Sequence, residues 1–109
     1  MKNFLVVVPA KVGRDEVRSW VIKQGGYWHD SPTLDKGVIE KDLAHVYITV
    51  GDFNRAEYDP DELAQLIERL GAEPASSIVV HIGHGRGSDE LAAEVQRKLL
   101  ERWGGVVDQ

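Results

Sequence analysis

Apolar positions along the chain fall into two kinds of pattern. Phe4-Leu5-Val6-Val7-Val8 and Ile78-Val79-Val80 are unbroken runs, which read as interior strands covered on both faces. Val46, Ile48 and Val50 instead alternate with Tyr47 and Thr49, the period of a half-buried strand. With Val38-Ile39-Glu40 this segment predicts a tight hairpin around Lys41-Asp42. Between the strands the period changes to that of a helix. Val17, Trp20 and Val21 share one face of a helix predicted over 11–24, which Gly25-Gly26 ends. Asp59-Pro60-Asp61-Glu62 is a helix start with cap, first-turn proline and capping box, followed by a stripe of Leu63, Leu66, Ile67 and Leu70. A third helix over 88–103 carries Leu91, Val95, Leu99 and Trp103 at four-residue spacing, and Val106-Val107-Asp108 forms a short last strand.

The resulting order, β-α-β-β-α-β-α-β, predicts an α/β (α+β) domain with a mixed sheet and helices. The preferred arrangement is a ferredoxin-like βαββαβ core plus a C-terminal helix and short strand, with a small open three-layer sheet as the alternative. Residues 1–109 are expected to form a single domain, since the length leaves no room for a second core. Phe4–Val8 and Ile78–Ile82 are expected to be neighbouring interior strands.

Composition narrows the function classes. With no cysteine, disulfides, thiolate metal sites and cysteine nucleophiles are all excluded. No apolar run approaches the roughly 20 residues of a membrane span. The five-residue run at Phe4–Val8 is short for a secretory signal core, about 7–15 residues, so it is read as a strand and the chain is expected in the cytoplasm. A net charge of −5 argues against direct nucleic-acid binding, which leaves a basic footprint. It is compatible with a basic protein partner.

Ser76 to Asp89, SSIVVHIGHGRGSD, is the stretch around which the rest is arranged: strand, three alternating glycines, helix. In open α/β sheets a ligand binds outside the carboxyl end of such a strand. His84, Gly85, Arg86, Gly87 and Ser88 are therefore the candidate site for an anion or small molecule, on an alternative reading of the chain as a small α/β ligand-binding or enzymatic domain that uses the Gly83–Ser88 turn. Against this, Asp89 and Glu90 occupy the first helical turn and would repel phosphate, and no lysine follows the glycines. A tight structural turn with Ser88 as helix cap is the simpler reading. His81 and His84, even with His29, Asp30 or Asp52 added, follow no metal-ligand spacing. No nucleophile elbow is present. Neither a metal nor any other cofactor is expected, and no catalytic set is assigned.

The remaining candidates are aromatic and acidic. Tyr27, Trp28 and Asp30 are read as one loop, and Asp52, Phe53, Glu57 and Tyr58 as another. Both combine residue types that dominate protein interfaces with an exposed placement. Trp20 and Trp103 lie on the buried stripes of their helices.

Three pieces of the chain are similar to parts of one group of proteins. LVVVP at 5–9, the helix carrying Trp20 followed by Trp28, and the closing segment LAAEVQRKLLERWGGVVD at 91–108 resemble the small immunity proteins of bacterial polymorphic-toxin systems. The resemblance implies a non-enzymatic protein that binds and neutralises one cognate toxin. It brings no active-site residues to this chain. The seven aromatic and acidic loop residues become the expected contact surface for that toxin.

Overall fold

A computed structural model describes residues 3–108. Its strands are β1 (Asn3–Val8), β2 (Tyr27–Asp30), β3 (Asp35–Lys41), β4 (Ala44–Asp52), β5 (Ser76–Ile82) and β6 (Val106–Asp108). The helices are α1 (Arg14–Lys23), α2 (Pro60–Leu70) and α3 (Ser88–Trp103), with a 3-10 turn at Arg55–Glu57. The strands form one sheet in the order β2-β3-β4-β5-β1-β6. Every ladder is antiparallel, so the fold is α+β and the expected mixed sheet is corrected.

Local chemistry sets both ends of α2 and the end of α3 as the sequence indicated, whereas α1 starts at Arg14 and not at Lys11. Asp59 accepts the Glu62 backbone N–H at 2.8 Å, while the Glu62 carboxylate accepts that of Asp59, completing the capping box. Gly71 and Gly104 close α2 and α3 in the left-handed conformation, at φ 75° and 68°.

Strand order departs from the expected core. A ferredoxin-like arrangement ending at β5 would set β1 beside β4. Instead β5 lies between β1 and β4, and β6 takes the other side of β1. β5 and β6 are both antiparallel to β1, and hence parallel to each other. The segment β5-α3-β6 is therefore a crossover that spans β1. The neighbouring interior positions of β1 and β5 agree with expectation.

The core lies on one side of this sheet. α1 packs on β2, β3 and β4, and α3 on β4, β5 and β1. Val6, Val8, Val46, Ile48, Ile78 and Val80 meet Val17, Trp20, Val21, Leu91, Val95 and Leu99 there, all buried. Full burial of such a side chain contributes about 1.5–3 kcal/mol, against about 0–1 for an exposed ion pair. The ion pairs among the described residues all join exposed or part-exposed groups. Sheet-on-helix packing therefore holds the fold.

The second face differs. α2 lies against β6, and Leu66 and Val7 are buried apart from the main core, which places α2 at the β1–β6 end. Among the described residues no α-helix covers the rest of that face. β5 shows the consequence: Ile78, Val80 and Ile82 are buried, whereas Ser77, Val79 and His81 are half-exposed. Two-sided cover of β5, expected from its apolar run, is thus corrected to one-sided cover.

Candidate functional site

The uncovered face is built from aligned cross-strand rows. Antiparallel pairing puts Tyr27 opposite Val38, Val38 opposite Tyr47, Tyr47 opposite His81 and His81 opposite Asn3. The next row runs Thr49, Val79, Leu5, Asp108. Strand alternation sends all of these to one side. His81 Nδ1 lies 3.0 Å from Asn3 Oδ1, and Nε2 lies 3.4 Å from Thr49 Oγ1. Burial lowers the His81 pKa below its ordinary 6.5, and the Lys36 ammonium adds to the effect. This favours the neutral ring, whose tautomer the two neighbours set.

Along that second row, at Thr49, Val79 and Leu5, the face deepens into a groove of about 290 Å3. Its floor is Leu5, Thr49, Ser77 and Val79, and its wall is the segment leaving β4, with Asp52, Phe53, Asn54, Glu57 and Tyr58. The wall is fixed at three points. Phe53 N–H donates to the Ala75 carbonyl at 3.1 Å. Asn54 Oδ1 accepts the Ala56 N–H at 3.1 Å, starting the 3-10 turn. The Tyr58 hydroxyl donates to the Asp108 carboxylate on β6. Burial, reinforced by Asp108, keeps that hydroxyl protonated well above the usual tyrosine range. Phe53 and Tyr58 stack with ring centroids 5.1 Å apart and planes 31° apart.

The electrostatics of the groove are one-sided. Among the described residues its lining holds the Asp52 and Glu57 carboxylates and no lysine, arginine or histidine. Glu57 accepts one bond, from Asn54 Nδ2 at 3.3 Å. Asp52 has Lys11 at 3.9 Å, with both side chains more than 80% exposed, a pair that adds little. Arg55, next to the wall, is engaged by Glu73 at 2.8 Å.

Of the seven expected contact residues, the fold thus gathers Asp52, Phe53, Glu57 and Tyr58 in one place. Asp52, expected in a loop, is the last residue of β4 and pairs with Ser76, and the other three are not in a loop either. Tyr27, Trp28 and Asp30 belong to the edge strand β2, because a turn closed by reciprocal Ser31 and Leu34 backbone bonds pairs them with β3. Trp28 points to the helix face and packs on the core. Its Nε1 donates to Asp35 at 2.7 Å. Asp30 is held by Arg14 at 2.7 Å. Tyr27 alone of the three stays on the uncovered side, exposed, its hydroxyl donating to Glu40 at 2.8 Å.

The glycine turn is packed against the β3–β4 hairpin. Gly83 N–H donates to the His45 carbonyl at 2.9 Å. Ser88 does not cap α3. The N-cap is Gly87, at φ 85°, and the buried Ser88 hydroxyl accepts the His45 backbone N–H at 3.0 Å. The sheet is antiparallel, so the rule that places a ligand beyond the carboxyl end of a strand in an open parallel sheet does not carry over to this turn. His84 and Arg86 are exposed, and no group of three metal-ligating side chains is found among the described residues.

Sequence reasoning missed the groove floor and Asp108. The signal was present in β4, where Tyr47 and Thr49 were read as the exposed half of the strand. The pairing that adds Leu5, Ser77 and Val79 to Thr49 is long-range and carries no local mark. No protein family, curated protein or solved structure matches this chain.

Proposed function

We propose that this chain is a non-enzymatic immunity-type protein, which neutralises a cognate protein toxin by binding it through the uncovered sheet face. The observation that carries this reading is the convergence of Asp52, Phe53, Glu57 and Tyr58 on one groove of that face. Aromatic anchors in a concave patch are what a tight interface is built around. The wall is held by backbone and side-chain bonds, so little ordering is needed on binding. The resemblance of 5–9, the Trp20 helix and 91–108 to immunity proteins points the same way.

We also read the sheet as a ferredoxin-like core carrying insertions. In support, β6, β1, β5 and β4 are consecutive neighbours with α1 and α3 against one side. On this reading β2–β3 and α2 are the insertions, and the side away from α1 and α3 is left to a partner.

The test is co-expression with the neighbouring gene, followed by growth and pull-down. Protection by the parent chain and its loss in a Phe53→Ala, Asp52→Lys variant is the expected result. A neighbour that is harmless alone, or equally toxic with and without this protein, overturns the immunity reading. Protection that survives both substitutions removes the groove from the contact surface.

A further inference from the structure

The groove has the chemistry of a receptor for one cationic side chain, and we infer that it takes an arginine of the partner. This rests on the groove being a contact surface, though not on the partner being a toxin. Four features bear on it. The floor is apolar at Leu5 and Val79, suiting the methylene stem of a long side chain. At the wall Phe53 and Tyr58 both line the groove, their rings 5.1 Å apart, and an aromatic ring is a surface on which a planar guanidinium can lie. The polar groups of the rim are acceptors with unused capacity. Among the described residues Glu57 has only its contact from Asn54, and the Tyr58 hydroxyl has spent its proton on Asp108, so its oxygen remains free to accept. Finally, no cation among the described residues lines the groove, and Asp52 has only a loose, exposed pairing with Lys11 at 3.9 Å.

Guanidinium is favoured over ammonium by this arrangement. A lysine offers a compact, strongly hydrated charge, and loses more hydration on entering a half-apolar groove. Arginine has donors in a rigid fork, which reach a carboxylate on one side while the plane stacks on an aromatic ring. The occupant is therefore a protein segment with an exposed arginine. An anion or a nucleic-acid backbone would meet two carboxylates instead.

The experiment uses the intact chain and three capped tripeptides, glycine-X-glycine, with X arginine, lysine or citrulline. Citrulline keeps the shape of arginine without its charge. Amide chemical shifts are followed up to tens of millimolar peptide. The arginine peptide is expected to shift Phe53, Asn54, Glu57 and Tyr58 with millimolar affinity, the lysine peptide more weakly, and citrulline not at all. Glu57→Gln should weaken arginine binding about threefold, as for an exposed ion pair. Phe53→Leu keeps the apolar wall but should abolish the preference for arginine over lysine. Absence of shifts at these residues with the arginine peptide, or equal shifts with citrulline, overturns the inference. Equal binding of lysine and arginine overturns the guanidinium assignment. Protection in co-expression is a separate readout, so the immunity reading and this one fail independently.

Discussion

A Cβ placed on Gly85 would stand 1.5 Å from the Leu43 carbonyl oxygen, and one on Gly83 2.7 Å from that of His45. Both contacts are with backbone, which has no rotamer by which to move aside. The alternating glycines after β5 are therefore explained by close approach to the β3–β4 hairpin, with only Gly87 in the left-handed region. Gly85→Ala should cost about 2 kcal/mol or more, a fall in Tm of roughly 8 °C or more for a chain of this size. Gly51 is the control, since nothing lies within 4 Å of its Cβ position. Gly51→Ala should change stability by less than about 1 kcal/mol. Thermal melts of the two variants decide the matter. A Gly85→Ala protein melting with the parent would mean that the turn yields easily and that packing does not account for its glycines.

β2 is the element whose existence depends most on others. It has four residues, lies at the sheet edge, and carries one core contact, through Trp28. Arg14 of α1 fastens it. The guanidinium donates to Asp35 at 2.6 Å, pairs with Asp30 at 2.7 Å, and sits 5.9 Å from the Trp28 ring centroid. Asp35 also accepts the Trp28 indole N–H, and with Arg14 this holds its carboxyl below the usual carboxylate range. These groups are exposed or part-exposed, so Arg14→Ala should lower global stability only slightly. Local opening of β2 should respond far more. Amide exchange in Tyr27–Asp30 is expected to accelerate while β4 and β5 keep their protection. Uniform acceleration across the sheet would show that Arg14 is no local clamp. The same element explains what the sequence left hidden. α2 was legible because Asp59, Pro60, Glu62 and Gly71 are local signals, and β1 and β5 because apolar runs need burial. β2 mixes Tyr, Trp, His and Asp, and becomes a strand only through pairing with β3. Strand order was hidden for a related reason. Whether β4 or β5 lies beside β1 depends on ladders between distant segments, and each segment alone fits either place. The four groove residues on the β4 exit were legible by type and position. Their grouping, and the loss of Tyr27, Trp28 and Asp30 from it, follows from sheet geometry.

At the scale of the whole molecule, charge and shape divide the work of binding. The chain carries a net −5, and Asp52 and Glu57 stand at a groove with no cation among the described residues of its lining. A basic partner would be drawn in from about a Debye length, roughly 10 Å at 0.1 M salt. Phe53 and Tyr58 act only once the surfaces meet, because stacking and burial have no reach beyond contact. Rate constants should separate accordingly. Asp52→Lys should slow association and flatten its dependence on ionic strength, with dissociation little changed. Phe53→Ala should leave association within a few-fold of the parent and speed dissociation, since truncating a buried anchor acts on the formed complex. Surface-based kinetics with the captured partner at several salt concentrations measure both. If Asp52→Lys alters dissociation alone, its carboxylate belongs to the packed centre of the interface. If Phe53→Ala alters neither rate, the partner engages another part of the uncovered face, and the row from Tyr27 through Tyr47 to His81 is then the surface to test next.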